Sequence, residues 1–227
     1  MANTNESMVQ LKASDGFTLD AFEVAAGDKR LGGVVILQEI FGVTDQLKSV
    51  ARAYAKEGFD AIVPALFDRA TPKTVVPFDQ PDRGRDTMMS LDKAKVMLDI
   101  GAAVERLNRG SGVSVMGFCW GGGLALRSAA GLTLTSAVSF YGTQLPTLLG
   151  NNTPKCPMLF HFGKTDTHSP PEVIEAVKKA IPAAETYTYE AGHAFANDAR
   201  PNFYVKEAAE SAHARTLAFL RKVHKKK

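Results

Sequence analysis

One cysteine of the chain stands where a catalytic nucleophile would be expected. Cys119 lies at the centre of residues 117–121, Gly-Phe-Cys-Trp-Gly. The related pattern Gly-x-Ser-x-Gly marks a sharp turn between a strand and a helix, which exposes the side chain of its central serine. The backbone of such a turn is strained, and the flanking glycines leave space that side chains would fill. The sequence therefore predicts that Cys119 is a nucleophile, with a thiol in place of the serine hydroxyl.

The segments on either side of Cys119 separate this interpretation from a simpler one. A buried cysteine that only packs in a core is common. Here a short β-branched run at 113–116 precedes the turn and small residues at 124–130 follow it, which favours a strand, a turn and a helix. The helix expected to begin at Trp120 or Gly121 would place its positive end beside the sulfur. The nucleophile is therefore the favoured interpretation.

Asp166 and His193 each follow a predicted strand, and they could complete a catalytic triad with Cys119. In an open parallel sheet, ligands gather outside the carboxyl ends of the strands, so side chains that follow the strands come together. Histidine has a pKa suited to a general base. An aspartate orients the imidazole and stabilises its cationic form. The order of nucleophile, acid and histidine along the chain is the one expected for an α/β-hydrolase.

Simpler interpretations of these side chains stay open. Asp166 could cap a turn, and His193 could be a loop histidine without a catalytic role. Asp198 is a weaker candidate for the acid of the triad. The remaining histidines occur inside a strand, before a helix or on the last helix, and are interpreted as packing or surface residues: His161, His168, His213 and His224.

Glu39 also follows a predicted strand, and its position admits two interpretations. In hydrolases of this kind, the loop after that strand supplies one backbone N–H of an oxyanion hole, here that of Ile40. The N–H of Trp120 would be the second donor. A carboxylate beside a developing oxyanion is unfavourable. From the residues alone, Glu39 is therefore either a solvated loop acid or a group with another function.

The elements that must position these residues alternate between strand and helix. Residues 8–12 and 17–24 alternate with period two around a Ser-Asp-Gly turn, which predicts an N-terminal β-hairpin. Continuous apolar runs, typical of strands covered on both faces, predict buried strands at 34–37 and 61–63. Further strands are predicted before Cys119 and at 137–141, 157–162 and 186–189. We expect an α/β-hydrolase fold of class α/β, with a mostly parallel, doubly wound sheet and an antiparallel N-terminal hairpin, in one domain over residues 1–227.

Helix signals fill the intervals between the strands. Thr44 is placed to cap a helix that ends at Gly58. Its apolar face is the set Leu47, Val50, Ala51, Tyr54 and Ala55. Further helices are predicted at 87–108, at 206–223, and up to about residue 180 after Ser169 as N-cap. Residues 65–86 have no clear period, which indicates an irregular functional loop or lid.

Length, charge and cysteine content limit the kinds of protein this can be. The 227 residues carry a net charge of +3, which is too small to indicate nucleic acid as a partner. Residues 1–7 do not resemble a signal peptide, and no apolar run approaches the roughly 20 residues that cross a membrane. The basic tail at 221–227 is interpreted as a solvated helix end. The two cysteines predict a reducing, cytoplasmic location, and no Cys or His spacing suits a metal.

Four segments together resemble the dienelactone hydrolase family, the carboxymethylenebutenolidases. They are 38–42 (Gln-Glu-Ile-Phe-Gly), 117–122 (Gly-Phe-Cys-Trp-Gly-Gly), 163–166 (Gly-Lys-Thr-Asp) and 192–195 (Gly-His-Ala-Phe), and they span nearly the whole chain in order. The resemblance implies a hydrolase with a Cys-His-Asp triad, carried by Cys119, His193 and Asp166. It implies hydrolysis of a small lactone or ester without a cofactor, with dienelactone giving maleylacetate as the expected reaction, by a monomer or a weak homodimer.

The resemblance also assigns roles that the residues alone leave open. It implies that Glu39 contacts the resting cysteine and takes up its proton when the substrate binds. It places Arg85 and Tyr141 near the substrate. Family members that act on dienelactone carry an arginine four residues after the catalytic histidine, where this chain has Asn197, and Arg200 follows three positions later. Because an amide cannot replace the charge of a guanidinium, a related ester or thioester stays open as the substrate. A catalytically silent binding protein on the same fold is the other alternative.

Overall fold

The computed structural model describes residues 5–27 and 29–225. Residues 1–4, 28, 226 and 227 lie outside this range, and with them lie parts of the N-terminal segment and of the basic tail discussed above. The chain forms two compact units, Met1–Val113 and Ser114–Lys227. The single domain over residues 1–227 stays a prediction.

The first unit is a mixed sheet with helices packed on it. Its described elements are β1 (Glu6–Lys12), β2 (Thr18–Val24), β3 (Gly32–Leu37), α1 (Asp45–Lys56), β4 (Phe59–Pro64), a 3-10 helix (Leu66–Arg69), α2 (Pro81–Ser90) and α3 (Lys93–Leu107). β1 and β2 pair antiparallel, so the predicted hairpin is confirmed. β4 is antiparallel to β2 and parallel to β3, and β3 and β4 are buried along their whole length.

The second unit is a parallel sheet. Its described elements are β5 (Val113–Phe118), α4 (Trp120–Gly131), β6 (Ser136–Phe140), α5 (Leu145–Leu149), β7 (Met158–Gly163), α6 (Pro171–Ala180), β8 (Glu185–Tyr189) and α7 (Lys206–His224). The strands pair in the order β5, β6, β7, β8, and every pair is parallel.

Alternating side chains of β7 show how helices cover both faces of this sheet. Met158, Phe160 and Phe162 pack in a core with residues of α4 and α6. His161 lies between them in sequence and instead contacts Thr216 of α7. Burying each phenylalanine contributes about 1.5–3 kcal/mol to folding. The predicted doubly wound arrangement is confirmed.

The single helix predicted at 87–108 is wrong, because the chain forms two helices there. α2 ends at Ser90, and Leu91 is extended, with φ −81° and ψ 139°. The side chain of Asp92 then accepts hydrogen bonds from the N–H groups of Ala94 and Lys95, so it caps α3. An aspartate that binds the backbone in this way begins a new helix and interrupts an old one. The expected irregular segment 65–86 likewise contains the 3-10 helix and the start of α2 at Pro81.

The expected helix starts have mixed outcomes. Thr44 accepts a hydrogen bond from the Leu47 N–H at 3.2 Å, and Gly58 follows α1 with φ +95°, so both signals are confirmed. Ser169, predicted to cap α6, does not do so, because Pro170 occupies the N-cap position. The Ser169 hydroxyl donates instead to the Gly142 carbonyl at 3.0 Å. A tertiary partner has replaced the local one.

His161 is buried in a network that suits a neutral imidazole. Its Nδ1 lies 2.8 Å from the Tyr189 hydroxyl, and its Nε2 lies 2.9 Å from Oγ1 of Thr216. Because Thr216 donates its own proton to the Ala212 carbonyl, it accepts from Nε2–H, and Tyr189 then donates to Nδ1. Burial, followed by the charges of His213 and Arg215, holds the pKa of His161 well below 6.5. His161 is thus a packing residue, as expected.

We expect this histidine to make the protein less stable in acid. Because its pKa is lowered in the folded state, its stabilising contribution is complete above pH 6.5 and is lost as the pH falls below that value. The free energy of unfolding, measured with urea between pH 4 and 8 (about the range in which histidines titrate), should therefore fall with pH. In a His161→Gln variant the fall should be smaller. An equal fall in both proteins would contradict this account of the network.

Candidate active site

The backbone at Cys119 has the strained turn that the sequence predicted. β5 ends at Phe118, α4 begins at Trp120, and Cys119 between them has φ 55° and ψ −117°. A residue with a side chain in this region costs about 1–3 kcal/mol and persists only when its surroundings hold it. Here the Cys119 N–H donates to the Phe140 carbonyl, and the Cys119 carbonyl accepts from the Thr143 N–H, both at 3.0 Å.

Gly117 shows why the turn needs glycine. A Cβ on Gly117 would collide with the carbonyl group of Gly121 and lie 2.9 Å from the Gly122 nitrogen. The start of α4 is therefore folded directly against the end of β5. Because of this close approach, Cys119 lies directly between the last residue of the strand and Trp120, the first residue of the helix.

Asp166 and His193 meet in the loops that follow β7 and β8. Nδ1 of His193 lies 2.8 Å from Oδ2 of Asp166. The other carboxylate oxygen, Oδ1, accepts the backbone N–H of His168 at 2.8 Å. Asp166 is 2 % exposed, so its carboxylate is held from both sides in a buried position. The competing acid, Asp198, is exposed.

Opposing effects act on the pKa of His193. Burial lowers it, but the hydrogen bonds to Asp166 and Cys119 and the charges of these two groups outweigh burial and raise the pKa to about 10. The same contacts show that the three side chains of the predicted triad lie together within the second unit. A positively charged imidazole in this place is suited to stand beside a sulfur anion and to return its proton to a leaving group.

Two aromatic rings contact the imidazole of His193. The ring of Tyr141 is buried and lies 5.2 Å from it between centroids, at 67°. The ring of His168 lies 4.5 Å from it, at 53°. His168 is exposed, as expected for a surface residue, but its contact with His193 was missed by the sequence analysis. Its position two residues after Asp166 is the signal that could have indicated this contact.

The predicted residues of the first unit occupy the loop after β3 and helix α2. Glu39 is 7 % exposed, so the interpretation as a solvated acid is wrong. The side chain of Gln38 donates to the Glu39 carbonyl at 3.2 Å and accepts the Leu66 N–H at 3.1 Å, which holds this loop in place. Arg85 lies on α2, is about half exposed, and pairs with Asp82 at 2.8 Å.

Asn197 is buried in the turn that follows His193. Its Oδ1 accepts the Ala199 N–H at 3.2 Å, which forms a local side-chain turn. The guanidinium of Arg200 lies 4.1 Å from the ring centroid of Phe203. The position at which the family resemblance implies an arginine is thus filled here by a neutral amide that makes a local hydrogen bond.

Residues 5–27 and 29–225 contain neither a membrane-spanning helix nor a cluster of metal ligands. No helix there has the length and apolar character needed to cross a bilayer. No group of three or more His, Cys, Asp or Glu side chains in these ranges could hold a metal ion. Both cysteines are free thiols, and burial raises the pKa of Cys156 to about 11.

The strained turn after β5 and the parallel strands around it define the class of protein as an α/β-hydrolase. The match to the model of the "Dienelactone hydrolase family" covers residues 19–224. The chain therefore belongs to the dienelactone hydrolase family, and it is a hydrolase that acts on esters or lactones. The predicted fold and the resemblance stated from the four segments are confirmed.

Individual relatives agree with this assignment. A carboxymethylenebutenolidase of a Pseudomonas species is 33% identical over 201 residues, which cover 84% of each chain. A carboxymethylenebutenolidase of Pseudomonas putida is 31% identical over 233 residues, covering 96% of this chain and 98% of the relative. The crystal structure of a candidate dienelactone hydrolase from Klebsiella pneumoniae has a TM-score of 0.80 at 27% identity, with 96% and 98% of the two chains covered.

Replacing Asp166 should change how His193 titrates. Without the hydrogen bond and charge of this carboxylate, burial lowers the pKa of the imidazole, so in Asp166→Asn it should titrate well below about 10. NMR titration of the His193 ring protons measures this shift. The matched control is Asp198→Asn, which changes an exposed acid and should leave the titration of His193 as in the native protein. A shift in the control and none in Asp166→Asn would reverse the assignment of the acid.

Proposed function

We propose that this enzyme hydrolyses small lactones and esters with Cys119 as nucleophile, His193 as general base and Asp166 as the group that orients the imidazole. The observation that supports this most is the placement of Cys119 at a strained strand-to-helix turn with His193 hydrogen-bonded to it. The leading substrate is dienelactone, which would give maleylacetate, because the relatives carry that activity in their name.

The proposed reaction has two halves. Glu39 takes up the thiol proton when the substrate binds, and the sulfur anion of Cys119, beside the protonated imidazole of His193, adds to the carbonyl carbon, which moves an electron pair onto oxygen. Collapse of this oxyanion breaks the bond to the leaving oxygen, which receives the proton from His193 and leaves a thioester on Cys119. In a lactone the leaving oxygen stays tethered to the acyl group. His193 then removes a proton from water, the hydroxide adds to the thioester, and the acid is released as the sulfur leaves and recovers its proton from Glu39.

Two backbone amides would stabilise the oxyanion in both halves. We assign them to Trp120, the first residue of α4, and to Ile40, in the loop after β3. N–H groups at a helix N-terminus suit a negative charge. We infer that Glu39 takes up the thiol proton when substrate binds, as the family resemblance implies, and its burial in the first unit supports a role other than a solvated acid. In this proposal Arg85 and Tyr141 bind the substrate.

The same proposal includes the domain organisation, the cofactor requirement, the partner and the location of the enzyme. We infer one domain over residues 1–227, a reaction that needs no cofactor, and a small molecule as the only partner required for activity. Two free thiols in a chain without a disulfide are in keeping with a reducing compartment, so we place the enzyme in the cytoplasm.

Removing the thiol tests the proposal directly. Cys119→Ala should lose hydrolysis of p-nitrophenyl acetate by about 10⁴-fold or more, because no covalent intermediate can form. Rapid quenching of the native enzyme with the same ester should show one acyl group on Cys119 by mass spectrometry. Cys156→Ala is the control and should keep full activity. Undiminished turnover in Cys119→Ala would disprove the triad. No turnover by the native protein would favour a silent binding protein.

A second candidate function, hydrolysis of a neutral ester or thioester, is favoured by Asn197. Its buried amide offers no positive charge to a substrate carboxylate. If this is the function, the native enzyme should have a higher kcat/KM for neutral aryl esters than for cis- or trans-dienelactone.

Introducing the missing charge separates the two candidates. In Asn197→Arg, kcat/KM for the anionic lactones should rise about tenfold, as expected for a charge-assisted hydrogen bond. Activity on the neutral ester serves as the control for folding and should be retained. Efficient hydrolysis of dienelactone by the native enzyme, with no gain in the variant, would favour the first candidate.

A further inference from the structure

The loop after β3 is held by a segment that follows β4 in the chain. We call residues 39–42 the oxyanion loop and residues 74–84 the clamp segment. The N–H of Val76 donates to the Phe41 carbonyl at 2.9 Å. The rings of Phe41 and Phe78 meet edge to face, with centroids 4.9 Å apart. Both segments belong to the first unit.

Two glycines allow the backbones of the two segments to approach closely. A Cβ on Gly84, a buried residue of α2, would collide with the carbonyl oxygen of Ile40 and lie 3.1 Å from its carbonyl carbon. Gly42 has φ +81°, and a Cβ there would collide with the carbonyl oxygen of Thr74. Backbone therefore packs on backbone at both ends of the oxyanion loop. Such a contact is rigid, because no flexible side chain lies between the partners.

Gln38 acts on the neighbouring peptide group. Since the Leu66 N–H can only donate, it identifies the acceptor of the Gln38 amide as Oε1 and leaves Nε2 to donate to the Glu39 carbonyl. The Glu39 carbonyl and the Ile40 N–H belong to one planar trans peptide and point in opposite directions. A hydrogen bond that holds this carbonyl therefore also sets the direction of the Ile40 N–H. Gln38 is fully buried.

We propose that Gly84 and Gln38 are positioning residues for the oxyanion hole. Gln38 orients the peptide that carries the Ile40 N–H, and the backbone of α2 at Gly84 fixes the next peptide against rotation. The clamp segment is thus part of the catalytic framework and not an irregular lid. This inference rests on the proposed role of Ile40 as an oxyanion donor.

The test compares two reactions of the same thiol in the full-length enzyme. Addition of the Cys119 sulfur to an alkyl trifluoromethyl ketone forms a carbon–sulfur bond and moves the carbonyl electron pair onto oxygen, so an oxyanion forms. Alkylation by iodoacetamide displaces iodide from a saturated carbon, and no oxyanion forms. Only the first reaction needs the oxyanion hole.

In Gly84→Ala the new methyl group must displace the Ile40 carbonyl. We expect the inhibition constant of the ketone to rise about 10- to 100-fold, somewhat less than the 10²–10³-fold effect of losing a whole donor. For a neutral aryl ester, kcat should fall by a similar factor while KM stays unchanged, because the interaction exists only in the transition state. The rate of alkylation should stay as in the native enzyme. Gly131→Ala is the matched control, since nothing lies within 4 Å of the added Cβ, and it should change none of these values.

Native affinity of Gly84→Ala for the ketone would overturn the inference, and so would an equal loss in alkylation. If Gly84→Ala does not fold by circular dichroism, Gln38→Met, which cannot donate to the Glu39 carbonyl, is judged by the same criteria. Failure of the proposed function has a different signature. There, Cys119→Ala would keep activity, whereas failure of this inference alone leaves Cys119 essential and Gly84→Ala normal.

Discussion

The structure of the second unit depends on the backbone of one residue. Cys119 has a positive φ that a residue with a side chain avoids, at a cost of about 1–3 kcal/mol. Hydrogen bonds to Phe140 and Thr143 on the next strand and loop, and the absence of a side chain at Gly117, hold it there. In this conformation the end of a buried strand becomes the start of a helix, and the thiol projects from the edge of the sheet. The hydrogen bonds at Cys119 and the glycine at position 117 meet that requirement.

Histidines of the second unit differ in charge because their surroundings differ. Burial keeps His161 neutral in a network of hydroxyl groups, and it lowers the pKa of His213 to about 4. His193 is buried too, but the carboxylate of Asp166 and the sulfur of Cys119 raise its pKa to about 10. The same side chain thus serves as a packing group at two positions and as a candidate base at a third. Only the position with an acid partner can hold a proton for chemistry near neutral pH.

The first unit shows a different use of close packing. The residues around Ile40 are held by backbone contacts with Gly84 and by the buried amide of Gln38. A proline-rich and charged stretch between β4 and α3 supplies Gly84 and the Leu66 N–H that donates to Gln38, although its composition resembles that of a mobile loop. Rigid placement of a single N–H group is valuable in a hydrolase, because a donor that is already oriented needs no reorganisation when charge develops on the substrate oxygen.

The sequence by itself determined the class of fold and the strand-to-helix turn at Cys119, because these depend on local periodicity and on glycines at short spacing. It also indicated the dienelactone hydrolase family, through four short segments that occur together in the right order. The break between α2 and α3, the tertiary partner of Ser169, the burial of Glu39 and the contact between His168 and His193 were decided only by the tertiary structure. Each of these depends on groups that are distant in the chain or on competition between a local hydrogen bond and a tertiary one, and local sequence patterns carry neither.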